Sequence, residues 1–430
     1  MVTHFLYNIV LDLLDRLVRT AGSDRATFLL RLVFGEKFMS FIECRKDAMQ
    51  EVCRAMAGEK REVYWIHAAS LGEYAVARPI LHQLRRSTDR CVVLTFFSST
   101  GYNALKQLST SQTEADYIFA LPVDSRKNVS AFLDAVKPKR AVFIISEYWM
   151  NYLAELSNRK IPVFLISAII SEHSVFFKWY GGFHRRMLRY FSSCTVLDEQ
   201  SQTNLKKLGY ANAVIAGDPL FDNAAAITET EYHDAVIEAF CARENGVFIA
   251  GSIHDDKDLA MVTHLANKHQ DTKFIFVPHE ISEKTLNRIK YELEGYALSY
   301  SECNSDTDFS RVQVLIIDFI GALSRIYRYG KWAYVGGGFT RYLHSVIEPV
   351  VYGLPVAFGP CIHRKITPRQ MMNIGIGCMV SSPEKLDKWF SGLKYNDALL
   401  AEINHQAHRY VEKNIGATQL ITSTIINGNA

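Results

Sequence analysis

Residues 332–360, WAYVGGGFTRYLHSVIEPVVYGLPVAFGP, decide the fold. They read as a strand, a glycine turn, a helix and a second strand. The run 332–335 is short and apolar, and Gly336, Gly337 and Gly338 let the backbone turn sharply and approach a ligand closely. Helix character resumes near Ser345, whose hydroxyl lies three residues ahead of Glu348 in the pattern of a capping box. The exposed N–H groups and positive dipole end of such a helix suit a phosphate. Gly353 and Pro355 then close the helix and start the strand PVAFGP. The whole is the nucleotide-phosphate turn of a Rossmann-like half. An ordinary tight strand-to-helix turn is the competing reading of the glycines.

Outward from this stretch, a series of strands VFIAGS, KFIFVP, VQVLIID, WAYVGG and PVAFGP alternates with helix-length segments. An earlier series begins at residue 62 with YWIHAA and continues through CVVLTFF, YIFALP, RAVFII, IPVFLIS and CTVLD. Strands alternating with helices predict an α/β protein with parallel, doubly wound sheets. Two series predict two Rossmann-like halves facing a cleft. The turn-rich run 206–219, KKLGYANAVIAGDP, reads as the hinge region. The expected divisions are 1–40, an N-terminal helical segment; 41–210 and 211–400, the two Rossmann-like domains; and 401–430, a helix packing back across the cleft. No internal repeat of solenoid period is visible.

A chain of 430 residues exceeds one typical core. Charge is nearly balanced at +3 with 22% charged residues, which gives no global field for nucleic acid. The eight cysteines are scattered without a C-x-x-C pair, a reduced, cytosolic pattern. No stretch reaches the roughly 18 uninterrupted apolar residues of a spanning helix. At the N-terminus, Phe5, Leu6, Ile9, Val10, Leu13, Leu14 and Leu17 recur at helical spacing on one face. That amphipathic helix either packs on its own domain or lies in a membrane interface. Arg25, Arg31 and Lys37 around the apolar cluster 28–34 favour an anionic membrane surface.

Ligands of open parallel sheets sit beyond the carboxyl ends of strands. Four such turns stand out. In HAASLGE, Glu73 follows Gly72 in the first turn of a helix, where it serves either as a helix-stabilising acid or as a group near a ligand. In ISEYW, Glu147 stands directly after a strand beside two aromatics, the makings of a shaped pocket. Pro278 and His279 end another strand. Ile320, Gly321 and Ala322 begin a helix that can receive a base or phosphate. Asp256-Lys-Asp258 matches D-x-D, but acids are expected at that helix start without a metal. H-E-x-x-H, G-x-S-x-G and P-loop patterns are absent.

The stretches HAASLGE, PVDSRKNVSAFLDAVKP, SEYWMN, FFKWYGGFHRRML, VPHEIS, IDFIGALSRIYRYG, YVGGGF and HSVIEPVVYGLPVAFGP resemble the Kdo transferases of lipopolysaccharide assembly, in the form seen in Bacteroides-like bacteria. The resemblance covers almost the whole chain. It implies a GT-B glycosyltransferase fold with acceptor-binding and CMP-sugar-binding halves, and transfer of Kdo from CMP-Kdo to a lipid A precursor of the lipid IVA type, with inversion. It implies no metal and no cofactor. A peripheral or N-terminally anchored place on the cytoplasmic face of the inner membrane would follow. Carried over by motif, Glu73 is the general base for the acceptor hydroxyl and Glu147 helps stabilise the transition state. Pro278, His279, Ile320, Gly321, Ala322, Ser345, Val346, Ile347 and Glu348 match CMP-binding positions. Arg185 and Arg186, interleaved with aromatics in FFKWYGGFHRRMLRYF, suit a phosphorylated lipid headgroup. The chain departs from the family at Leu220, where a basic residue is usual in G-x-x-[KR]-F-D, at Ser345 in place of asparagine, and at Ile253-His254. A GT-B enzyme using a UDP-sugar and a non-catalytic nucleotide- or lipid-binding homologue are the rival readings.

Overall fold

The computed structural model describes residues 2–20, 36–242, 246–304, 306–340, 343–362 and 365–428. Arg25, Arg31 and the cluster 28–34 lie outside them, as do Arg341 and Tyr342 of the stretch 332–360. The chain divides into two units, Met1–Asp222 with Ile415–Ala430, and Asn223–Asn414. Each unit holds one seven-stranded parallel sheet, the GT-B architecture of two Rossmann-like domains.

The first sheet contains β1 (Glu62–Ala68), β2 (Arg90–Phe96), β3 (Tyr117–Ala120), β4 (Arg140–Ile144), β5 (Val163–Ala168), β6 (Ser193–Val196) and β7 (Ala213–Ile215), in the order β3-β2-β1-β4-β5-β6-β7. Its strands are apolar on both faces, as helix-covered parallel strands must be. Along β1, Val63 and Trp65 enter one core cluster while Tyr64 and Ile66 enter the other. The last helix, Ala417–Asn427, belongs to this unit and adds Ile421 and Ile425 to the second cluster. Asp222 holds its start by accepting from Gly416 N (2.5 Å) and Thr418 N (2.6 Å).

The division after Asp222 falls later than the expected 210/211. The run read as a hinge contains β7, which pairs with β6 at the sheet edge. Three residues are too few to show strand periodicity. The same brevity hid β10 and β14 in the second sheet.

The second sheet contains β8 (Val247–Ile253), β9 (Lys273–Pro278), β10 (Ala297–Ser299), β11 (Val314–Ile316), β12 (Gly330–Val335), β13 (Val356–Phe358) and β14 (Gly377–Met379), in the order β10-β11-β9-β8-β12-β13-β14. Around the glycine turn the structure departs from the sequence reading. The helix after it starts at Ile347, is a single turn, and has no side-chain cap at its N-cap Val346. The expected capping box is absent; the Ser345 hydroxyl instead bonds the Glu348 side chain. The glycines serve backbone approach within the protein. A Cβ on Gly336 would collide with the Ser252 carbonyl, and one on Gly338 with the backbone of Gly359.

The N-terminal helix, Val2–Thr20, has apolar residues on two sides rather than one. Leu11 and Val18 are buried in a cluster with Ile42 and Val123, and Leu14 and Leu17 pack on it. Phe5, Leu6, Ile9, Val10 and Leu13 remain exposed.

Candidate active site

In open α/β sheets the position for a ligand is the point where strand order reverses. In the first sheet that point lies between β1 and β4, which pair directly. Glu73 follows β1 and Glu147 follows β4. Glu73 stands in the first turn of the helix Leu71–Leu84. Its N–H donates to the Ser70 hydroxyl (3.4 Å), and its carboxylate reaches back to accept from Ala69 N (2.5 Å). The helix-stabilising reading of this acid therefore holds, and it leaves the group in an unusual electrostatic place. Burial pushes the Glu73 carboxyl up to about 7, the charge of Glu147 adds to the rise, and the Ala69 N–H opposes it. The two carboxylates thus share one neighbourhood.

Glu147 is fixed from below. The Trp149 indole N–H donates to its Oε2 (2.8 Å), and His67 Nε2 lies 3.3 Å from the same oxygen. His67 is fully buried, with Nδ1 2.9 Å from Thr95 Oγ1, which in turn accepts from the Trp65 indole (2.9 Å). A hydrogen-bonded chain therefore runs through the sheet from β2 to the Glu147 loop. The loop leaves β4 through Ile145, a β-branched residue at φ +59°. A non-glycine residue in that region costs on the order of 1–3 kcal/mol, a strain that gathers at functional sites. Asp124, buried after β3, anchors the helix beyond the loop by accepting from Asn151 N (3.1 Å) and Tyr152 N (2.9 Å). It also accepts from the Tyr7 hydroxyl of the N-terminal helix (2.6 Å). Burial raises its carboxyl to about 7, opposed by these three donors.

A cavity of about 600 Å³ opens beside Glu147, lined by Leu6, Val10, Tyr148, Trp149, Phe183 and Met187 among others. Arg185 and Arg186 lie on the adjacent helix Gly182–Leu188. Arg185 is engaged within the protein, donating to the carbonyls of Phe176 (2.7 Å) and Lys178 (3.0 Å). Arg186 Nε donates to the Tyr190 hydroxyl (3.2 Å). Near them Trp179 is 92% exposed.

In the second sheet the order reverses between β8 and β12. Here the anchor is Asp258, which is fully buried. It accepts from the Tyr334 hydroxyl (2.6 Å), Gly337 N (2.7 Å) and His254 N (3.1 Å), and so ties the ends of β8 and β12 together. Asp256 points elsewhere, to an exposed ion pair with Arg288. The carboxylates of the D-x-D sequence diverge, so they do not form a shared metal site. Burial also pushes Glu348 up to about 7, opposed by the Ser345 hydroxyl. Its charge acts on Tyr327, which is buried in the segment following Ile320, Gly321 and Ala322. Of the positions matched to CMP, Val346 and Ile347 are buried. Ile320 is 90% exposed, and Gly321, at φ +96°, has open space where a side chain would stand. His279 is exposed after β9, and its ring lies 4.6 Å from that of His344, centroid to centroid.

The sequence reading missed His67, Asp258, His254 and His344 as contributors to these sites. Asp258 reads in the sequence as a D-x-D residue or a helix-start acid, and the register of its three hydrogen bonds is tertiary. The signal for His254 was present: it follows β8 as His279 follows β9.

Residues 45–223 match the model of the family described as 3-deoxy-D-manno-octulosonic-acid transferase (kdotransferase). Among curated relatives, the 3-deoxy-D-manno-octulosonic acid transferase of Chlamydia trachomatis serovar A is 26% identical over 364 residues, covering 81% of this chain and 80% of its own. That of Aquifex aeolicus is 26% identical over 310 residues, covering 70% and 76%. Among solved structures, UDP-GlcNAc 2-epimerase from Neisseria meningitidis superposes with a TM-score of 0.59 at 16% identity, covering 85% of this chain and 100% of its own, a likeness of fold.

Proposed function

Taking the chain as a member of the Kdo transferase family, as the family model and the curated relatives support, we propose that it moves Kdo from CMP-Kdo to a lipid A precursor of the lipid IVA type, with inversion at the sugar. The observation that carries this reading is Glu73 at the first switch point, with its carboxyl held near 7 beside Glu147. A general base works best when its pKa lies near the operating pH, and a positioned base contributes ~100 to 10,000-fold. In the proposed step the acceptor hydroxyl oxygen bonds to the anomeric carbon of Kdo as that carbon's bond to the CMP phosphate oxygen breaks. The hydroxyl proton passes to Glu73, and the bonding electron pair leaves with CMP. Glu147, held by Trp149 and His67, supplies negative charge near the electron-poor sugar carbon.

On this reading the loops after β9, β11 and β12 hold the nucleotide. Glu348 accepts hydrogen bonds from the ribose, and the loop carrying Ser345, Val346 and Ile347 runs beside the phosphate. The acceptor's acyl portion lies in the cavity between the N-terminal helix and the Glu147 loop, whose lining is largely apolar. The exposed apolar side of that helix, with Trp179 and Tyr180, would seat the protein on the cytoplasmic face of an anionic inner membrane. No helix among the described residues is long and apolar enough to cross a membrane. Arg185 and Arg186 each keep guanidinium N–H groups beyond those used by the loop carbonyls and Tyr190, and on this reading the pair meets the headgroup phosphate.

Thermal melting with CMP and with UDP tests the donor, because selective binding to the folded state raises Tm by mass action. CMP is expected to raise Tm and UDP to leave it unchanged; the reverse would point to a UDP-sugar enzyme.

A further inference from the structure

Three adjacent strands of the second sheet, β9, β8 and β12, each deliver a histidine beyond their carboxyl ends: His279, His254 and His344. Their ring centroids are 4.8, 5.6 and 4.6 Å apart, and one nitrogen from each ring lies within 4.8 Å of the other two. The backbone holds this cluster tightly. His279 N donates to Ile253 O (2.9 Å), His344 N donates to Gly336 O (3.1 Å), and buried Asp258 accepts from His254 N. The approach to His254 runs through Ser252 at φ +54°, where the β8–β9 register shifts. Such bulges re-aim side chains next to functional sites. His344 Nε2 is buried without a hydrogen-bond partner among the described residues.

We propose that His254, His279 and His344 form a binding site for a borderline divalent cation, Zn²⁺ first, with a fourth position open. The ligand atoms grouped among the described residues are all imidazole nitrogens, with no carboxylate; such nitrogens suit Zn²⁺, Co²⁺, Ni²⁺ and Cu²⁺ rather than Mg²⁺ and Ca²⁺. Three protein ligands plus an exchangeable position is the arrangement of open zinc sites. At Zn–N distances of about 2.0–2.1 Å, tetrahedral ligand nitrogens stand about 3.4 Å apart, so modest side-chain rotation closes the observed spacing. Exposed His279 gives the cation access from solvent. The cluster borders the loops proposed to hold the nucleotide and includes His279, and a bound cation is not thereby a requirement for sugar transfer.

The test is titration of tag-free, chelator-treated full-length protein with Co²⁺, followed by displacement with Zn²⁺. One equivalent should give the visible absorption of low-coordinate Co²⁺ without sulfur-to-metal charge transfer, and X-ray absorption of the Zn²⁺ form should show three imidazole nitrogens. His254→Ala and His344→Ala should each weaken Co²⁺ binding more than ~10-fold, since even outer-shell partners are worth that much. His264→Ala, exposed on the helix Asp256–Lys268, should leave it unchanged. Absent bands, thiolate charge transfer from the free cysteines, or equal affinity in the variants would overturn the proposal. So would loss of CMP binding in variants of a parent that binds no Co²⁺, since the cluster would then serve the nucleotide alone. If the variants fail to fold, X-ray absorption of the parent decides by itself.

Discussion

The two switch points use one topological device with opposite chemistry. Between β1 and β4 the chain sets two carboxylates, Glu73 and Glu147, over a buried chain of Trp65, Thr95 and His67. Between β8 and β12 it sets histidines and a glycine turn over one buried carboxylate, Asp258. In both places a non-glycine residue in the left-handed region, Ile145 or Ser252, precedes the chemistry. The lesson is that parallel-sheet topology fixes where a ligand goes, while the residues just beyond the strands decide which charge it meets.

The comparison breaks most readily at Glu73. Glu73→Gln should lower turnover by ~100-fold or more while CMP affinity stays at the parent value; unchanged turnover would remove the base from the first region. The next largest effect is expected of the corresponding anchor in the second region. Asp258→Ala leaves the Tyr334 hydroxyl and the His254 and Gly337 N–H groups without their acceptor. At ~1–3 kcal/mol for each unsatisfied buried group, denaturant unfolding should show a loss of at least about 3 kcal/mol. Asp258→Asn should lose far less, because its oxygen can serve the two N–H groups and its amide can donate to the tyrosine oxygen. Equal losses in the two variants would mean that size rather than hydrogen bonding matters there.

Only the first region has an exposed apolar flank on an N-terminal helix. Leu6→Gln with Val10→Gln should weaken partition onto anionic vesicles ~10-fold or more, given ~1.5–3 kcal/mol per fully buried large apolar side chain. Parent-like vesicle binding would assign that face to another partner. The smallest effect is electrostatic. Deprotonated Glu73 is the active form, so kcat should rise with pH up to about 7. Glu147→Gln removes a charge that raises the Glu73 pKa, so the midpoint of whatever activity remains should move to lower pH; a midpoint that stays or rises would separate the two carboxylates. The same carboxyls set the sign for stability. Glu73, Asp124 and Glu348 have folded pKa values raised to about 7, so the folded state holds extra protons. Their contribution is full below the unfolded carboxyl values, and stability should fall as pH rises towards about 7.

Much of this was legible in the sequence. Long strands apolar on both faces, such as β1 and β8, declare themselves by composition, and the strand-end rule located Glu73, Glu147 and His279. The short edge strands β7, β10 and β14 carry too few residues for a period. The glycine run misled in detail. Gly336 and Gly338 read as room for a ligand, yet they make room for the Ser252 carbonyl and Gly359, contacts between strands distant in sequence. The fold-back of Arg185 Nη1 onto two loop carbonyls is tertiary and has no signal in the sequence. Leu220 packs partly against the core of the first unit, and nothing in the structure explains the departure from a basic residue there.

The central claim is transfer of Kdo with Glu73 as base. Its most direct test is the mass of the lipid product after incubating parent and Glu73→Gln proteins with a lipid A precursor and CMP-Kdo generated in place. The account predicts acceptor carrying added Kdo with the parent and almost none with the variant, both proteins still binding CMP. Unmodified acceptor with a CMP-binding parent, or equal product from both proteins, would contradict it.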